Sequence, residues 1–162
     1  MKPLQVHPLG IRPPVSLMPW IKRVADDHIA QEAGEQLITG VGSLCATIGP
    51  VSRHTDDDVP AGKWIFGLVI RSDGHRLHSD ALPVGLPLNQ GDLYVLDPAV
   101  PHWTTCPDAD DVLVFTVTMR EPGEGTLREI AADLVLDLAL VRTREVDALC
   151  AEAESYRGIE PV

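Results

Sequence analysis

Residues 91–103 read Gly91-Asp92-Leu93-Tyr94-Val95-Leu96-Asp97-Pro98-Ala99-Val100-Pro101-His102-Trp103, and well before them stands Arg53-His54-Thr55-Asp56-Asp57-Asp58. In the later stretch an apolar run lies between Gly-Asp and Asp-Pro, a short strand that ends in a turn. In the earlier one, an extended chain points His54 and Asp56 to one side and Thr55 to the other. Two imidazoles and one carboxylate make a metal site once His102 arrives from a distant strand. Such a triad leaves metal positions open for other ligands.

A length of 162 residues fits one domain, 1–162, and 44% apolar residues suit a soluble globular chain. Fourteen prolines and 13 glycines favour many turns and short strands. The net charge of −11 argues against nucleic acid and anionic membranes as partners. Cys45, Cys106 and Cys150 form no Cys-x-x-Cys pair, so a zinc knuckle is not expected and a reducing cytoplasm is the simplest setting. The first residues do not read as a signal peptide, and no segment reaches the length of a membrane span. Phosphate-binding GxxxxGK[ST] loops, GxGxxG and GxSxG are absent.

The proline-rich residues 1–19 read as an extended arm with one short edge strand. Trp20 to Gln36 reads as a helix, with Trp20, Val24, Ile29 and Ala33 as its apolar stripe and Gly34 weakening its end. A β core over 37–120 follows. Its strands are Leu37–Thr39, Ser43–Ile48, Trp64–Arg71, Leu93–Leu96 and Asp111–Met119, with Gly49-Pro50 breaking the second. Ser72-Asp73-Gly74 reads as a turn, and Arg76–His78 as the return strand of a hairpin. Residues 126–157 form a helical segment in two pieces. Thr126 to Val141 opens on a Thr126/Glu129 capping box, and Thr143 to Tyr156 is capped by Gly158. Their apolar stripe is expected to pack on the sheet or to form a homodimer, which a monomer in solution size analysis would exclude.

Two ligand sets compete. One is His54, Asp56 and His102. The other draws on His75, His78 and Asp80, where His78-Ser79-Asp80 repeats the His-x-Asp spacing, with His102 as a further ligand. The second set follows a turn and reads as more exposed. Trp64, Phe66, Tyr94 and Trp103 are candidates for pocket walls.

Over roughly residues 43–120 the pattern resembles the iron(II)- and 2-oxoglutarate-dependent dioxygenases, carried by His54-Thr55-Asp56, Gly91-Asp92 and Val100-Pro101-His102-Trp103. The resemblance implies a mainly β chain, a double-stranded β-helix (jelly roll) shared with the wider cupin group, flanked by an N-terminal helix and C-terminal helices. It implies Fe(II) held by His54, Asp56 and His102, 2-oxoglutarate as co-substrate, and hydroxylation of a small molecule or peptide side chain. It also implies a basic residue for the far carboxylate of 2-oxoglutarate, usually shortly after the second histidine. Asp108–Leu113 offers none. Arg71 is the first substitute and Arg120 the second, because the arginine fork matches a carboxylate. Lys63 is the third. A cupin-like metal-binding isomerase or small-molecule-binding protein without 2-oxoglutarate chemistry is the alternative, and a non-catalytic interaction module a third class.

Overall fold

The computed structural model describes residues 2–31, 38–39 and 42–157. Ala33, Gly34 and the helix end at Gln36, the strand residue Leu37 and the cap Gly158 lie outside them. The chain runs as β1 (Leu4–His7), a 3-10 turn (Val15–Leu17), α1 (Met18–Gln31), β2 (Ile38–Thr39), β3 (Gly42–Ile48) and β4 (Val51–His54). Then come β5 (Trp64–Ser72), β6 (Arg76–Ser79), β7 (Leu86–Pro87), β8 (Leu93–Leu96), β9 (His102–Thr105), β10 (Val112–Arg120) and α2 (Leu127–Arg157).

The strands form two sheets, ordered β1-β8-β5-β10-β3-β2 and β4-β9-β6-β7. From β3 to β10 the first strand pairs with the eighth and the second with the seventh. The third lies between the eighth and the sixth, and the fourth between the seventh and the fifth. That order is a jelly roll of the cupin type, a mainly β fold. Its opening strand is cut from the next at Gly49. There φ is +74°, and a Cβ would stand 2.9 Å from the Ala109 carbonyl oxygen, so only glycine makes the corner.

Alternation sorts the large sheet into two faces. Leu4, Val69, Tyr94, Leu96 and Leu113 turn inward and meet Leu77 of the small sheet and Leu88 just past β7. Phe66, Leu68, Leu93 and Val95 turn outward against Ile130, Ala131 and Leu134 of α2. Leu44, Ala46, Ile70 and Val114 pack outward on Trp20, Ile21 and Ala25 of α1 and on Leu138. Trp20 Nε1 donates to Glu145 at 2.7 Å, and Arg23 pairs with the same carboxylate, so the two helices are tied together over the sheet. Leu136 and Leu140 face solvent.

Three expectations change. Residues 127–157 form one helix, not two. Thr126 and Glu129 do form the capping box, with reciprocal 3.1 Å bonds. Thr143 sits inside that helix, its hydroxyl donating back to the Ala139 carbonyl at 2.9 Å instead of capping a second one. The segment Arg76–His78 is not a hairpin partner of β5. Both edges of β5 are taken by β8 and β10, so the chain crosses to the small sheet and pairs with β9 and β7. The helix expected from Trp20 starts at Met18, entered through the 3-10 turn.

One irregularity has consequences for the site. Between β5 and β10 the register runs Phe115↔Val69 but Val114↔Arg71, so Ile70 is the extra residue of a β-bulge. Asp73 secures the strand ends just beyond it. Its backbone N–H donates to the Val112 carbonyl, its carboxylate accepts from the Val112 N–H at 2.9 Å, and Arg71 donates to it twice. Partial burial would raise the Asp73 carboxyl, but the Val112 and Arg71 bonds outweigh it and hold it below the ordinary 3.8. A depressed folded value means stabilisation present above the unfolded value and lost as pH falls through the folded one. Asp73→Ala should therefore cost about 1–2 kcal/mol at neutral pH. In denaturant titrations the gap to the parent should narrow below pH 3.8.

Candidate metal centre

β4 and β9 lie antiparallel with His54 directly opposite His102. The rings sit edge to face with centroids 4.5 Å apart. Asp56 lies past the end of β4, so strand alternation is not what aligns it with His54. Its N–H donates to the Pro98 carbonyl at 3.0 Å, which folds the loop back over the start of β9. The Asp56 carboxylate then lies 3.0 Å from His102 Nε2 and 3.5 Å from His54 Nε2. One ligand atom from each of the three residues falls within 4.8 Å of the others, and no other such group occurs among the described residues.

Both imidazoles are held by their far nitrogens. His54 Nδ1 donates to the Ser52 carbonyl at 2.6 Å, and His102 Nδ1 to the Val100 carbonyl at 2.9 Å. A carbonyl only accepts, so each Nδ1 carries its proton and each Nε2 is the ligating atom. This backbone support fixes ring orientation and tautomer in the way metal-binding histidines require. His102 is buried; burial would lower its pKa, but the Asp56 bond and the Val100 carbonyl raise it overall. The same His102 bond, against the effect of burial, pulls the Asp56 carboxyl down. The pocket thus concentrates a negative carboxylate against a proton on Nε2, and a divalent cation can take that proton's place. The donor set fits a first-row divalent metal with open positions.

Behind the triad the two sheets enclose a cavity of about 230 Å³. Its lining is largely apolar, with Ile65, Leu77, Leu88, Leu96, Leu113 and Phe115 among the contributors, and Cys45, Thr47 and Tyr94 adding polar atoms. Tyr94 lies across its cross-strand neighbour Gly67, where a Cβ would stand 2.0 Å from the tyrosine ring carbon Cζ. Burial pushes the Tyr94 phenol well above its ordinary value, with Cys45 and Asp56 adding to the shift, so the hydroxyl stays protonated. Of the expected pocket walls, Tyr94 reaches the cavity. Trp103 borders it while its ring stacks on His78 at 5.3 Å, and Trp64 and Phe66 pack outward towards α2.

The competing ligand set is dispersed. Asp80 pairs with Arg53, His78 bonds Thr105 Oγ1 at 2.7 Å, and buried His75 lies 3.3 Å from the Gly49 carbonyl. The expected carboxylate-binding arginines are also elsewhere, which corrects their assignment. Period-two counting from Val69 would turn Arg71 inward. The bulge at Ile70 turns it outward instead, where it pairs with Asp73 at 3.0 Å and borders a groove beside α1. Arg120 alternates outward from Met119 and pairs with Asp133 of α2 at 3.1 Å. Lys63 is not among the lining residues, and among the described residues no lysine or arginine is. Leu113, eleven positions after His102, is the inward residue where the resemblance implies a cation. The cavity therefore does not fit the far carboxylate of 2-oxoglutarate. Thr47 and Cys45 escaped the sequence reading, although the alternation Leu44-Cys45-Ala46-Thr47 carried the signal.

No protein-family model matches this chain. No curated protein matches it. Among solved structures it is similar to a cupin-2 domain protein from Shewanella frigidimarina, at 15% identity and TM-score 0.42, covering 59% of this chain and 91% of that one. It is also similar to SnoN, described as a non-heme alpha-ketoglutarate-dependent epimerase from nogalamycin biosynthesis, at 10% identity and TM-score 0.48, over 77% and 85% of the two chains. A third is YcfD, a ribosomal oxygenase from Escherichia coli, at 19% identity and TM-score 0.36, over 59% of this chain and 27% of that one. The strand order itself defines the class: a cupin-like jelly roll with a His-Asp-His group that can hold a metal. No helix among the described residues is long and apolar enough to cross a membrane.

Gly67→Ala tests the cavity wall. The added methyl must displace Tyr94, and overpacking of this kind costs about 1–3 kcal/mol. Thermal unfolding should shift down accordingly, with a changed near-ultraviolet tyrosine signal.

Proposed function

We propose that this protein is a mononuclear iron(II) dioxygenase acting on a small molecule bound in the cavity behind His54, Asp56 and His102. The observation that carries the reading is the convergence of the three side chains, with each Nδ1 tied to the backbone carbonyl two residues before it. Bound iron(II) would supply open positions at which dioxygen and an organic ligand meet. The protein's part is to orient two Nε2 atoms and one carboxylate, to shield them under the Asp56 loop, and to seat the substrate against an apolar wall. Dioxygenation places both oxygen atoms in the product and takes its electrons from the substrate. That chemistry needs no 2-oxoglutarate, in keeping with the cation-free lining. A metal-binding cupin-like isomerase or binding protein is the second reading, favoured by the same lining.

Anaerobic iron loading tests the metal. Binding of about one iron per chain is expected. It should fall to a small fraction in His54→Ala and Asp56→Ala, measured by metal analysis on folded protein. Oxygen uptake and succinate release then separate the chemistries. Iron-dependent succinate formation from 2-oxoglutarate would restore the 2-oxoglutarate reading. Iron binding without oxygen uptake across a substrate screen would favour the isomerase or binding protein. Absence of bound iron would leave a non-catalytic module.

A further inference from the structure

The large sheet carries a glycine in the middle of a buried strand. Gly67 stands between Phe66 and Leu68 on β5, with Tyr94 of β8 opposite it on one side and Val117 of β10 on the other. Glycine weakens a strand interior and marks a place where another group comes close. Here that group is the Tyr94 ring. A Cβ at Gly67 would stand 2.0 Å from its Cζ and 2.4 Å from its hydroxyl oxygen. Phe66 and Leu68 turn outward to α2, so the Gly67 position, and the hydroxyl over it, lie on the inner face. Phe115 meets the ring edge to face from β10, with centroids 5.9 Å apart.

The hydroxyl is open to the cavity. Tyr94 lines it and is 6% exposed. Its contacts are the Phe115 ring and the fields of Cys45 and Asp56, and among the described residues it makes no hydrogen bond. A buried polar atom with neither partner nor accessible surface is sealed in the fold, as Thr47 Oγ1, His75 Nδ1 and Thr116 Oγ1 are. The Tyr94 oxygen is not one of these, so it keeps surface, and the cavity is where Tyr94 has surface to keep. Burial holds the phenol protonated, which makes it a donor. A phenylalanine would fill the same space without a polar atom. Buried tyrosines ordinarily bring their hydroxyl to a partner, and here the partner has to come from inside the cavity.

We propose that Tyr94 is a substrate-binding residue: its hydroxyl donates a hydrogen bond to an acceptor group, such as a carbonyl or ether oxygen, of the small molecule held in the cavity behind His54, Asp56 and His102. This deepens the dioxygenase reading and rests on it for its catalytic meaning, because the bond fixes which end of the substrate turns towards the three ligands. The bond itself does not require the metal.

Calorimetric titration of metal-free protein with two probes of nearly the same shape supplies the test. Benzonitrile accepts a hydrogen bond through its nitrogen, and phenylacetylene has no such lone pair. Tyr94→Phe keeps the ring and should fold with an unchanged or higher Tm. It should weaken benzonitrile about three- to tenfold and leave phenylacetylene unchanged. The nitrile stretch of the bound probe should lie at higher wavenumber in the parent than in Tyr94→Phe, because a hydrogen bond to the nitrogen raises it. Equal weakening of both probes, no weakening of benzonitrile, an unshifted stretch, or binding of neither probe would each overturn the proposal. Iron content of the same protein, measured after anaerobic loading, separates the two claims. A chain that holds no iron but shows the Tyr94-dependent difference loses the dioxygenase reading and keeps this one.

Discussion

The antiparallel pairing of β4 with β9 is the constraint on which the centre depends. It sets His54 opposite His102, at the point where the small sheet faces the cavity. Cross-strand neighbours are held by the ladder itself, so two imidazoles from distant parts of the sequence meet without a dedicated loop. The Ser52 and Val100 carbonyls finish the arrangement by fixing which nitrogen of each ring faces the cavity. Asp56 then needs only one backbone bond, to Pro98, to bring its carboxylate between them.

The large sheet supplies the rigid wall behind this centre. Its outer face is covered by α1 and α2, and its inner face makes the cavity, so strands such as Leu93–Leu96 are buried throughout. A wall packed on both sides holds side-chain direction strictly. Inward positions therefore go to Cys45, Thr47, Val69, Tyr94, Leu113 and Phe115, and the cations of the same strands are left outside. The bulge at Ile70 and the pairing of Arg120 with Asp133 complete that exclusion. The result is a metal-type donor set in front of a neutral, apolar chamber.

Much of this was legible in the chain. The Gly-Asp and Asp-Pro breakers marked the strand around Tyr94, the Val- and Thr-rich run marked β10, and the Thr126/Glu129 box marked the start of α2. His54, Asp56 and His102 were readable as a ligand set because few side chains have that chemistry. The two expected C-terminal helices became one because no glycine or proline interrupts residues 127–157. The hairpin expected after Ser72-Asp73-Gly74 failed because a turn signal states where the chain reverses, not which strand edge is free to receive it. Here β8 and β10 had already occupied both edges of β5.

The sequence by itself determined the strand alternation, the turns, the caps and the three ligand types, because each depends on residues within a few positions of one another. Only the tertiary structure decided which histidines met and which arginines stayed out. Histidine pairing follows from the register between β4 and β9, and Arg71's direction from an extra residue that β5 carries against β10. A register is a property of two strands together. A bulge inverts the local period of two without altering any residue's own preference, so neither can be read along a single strand.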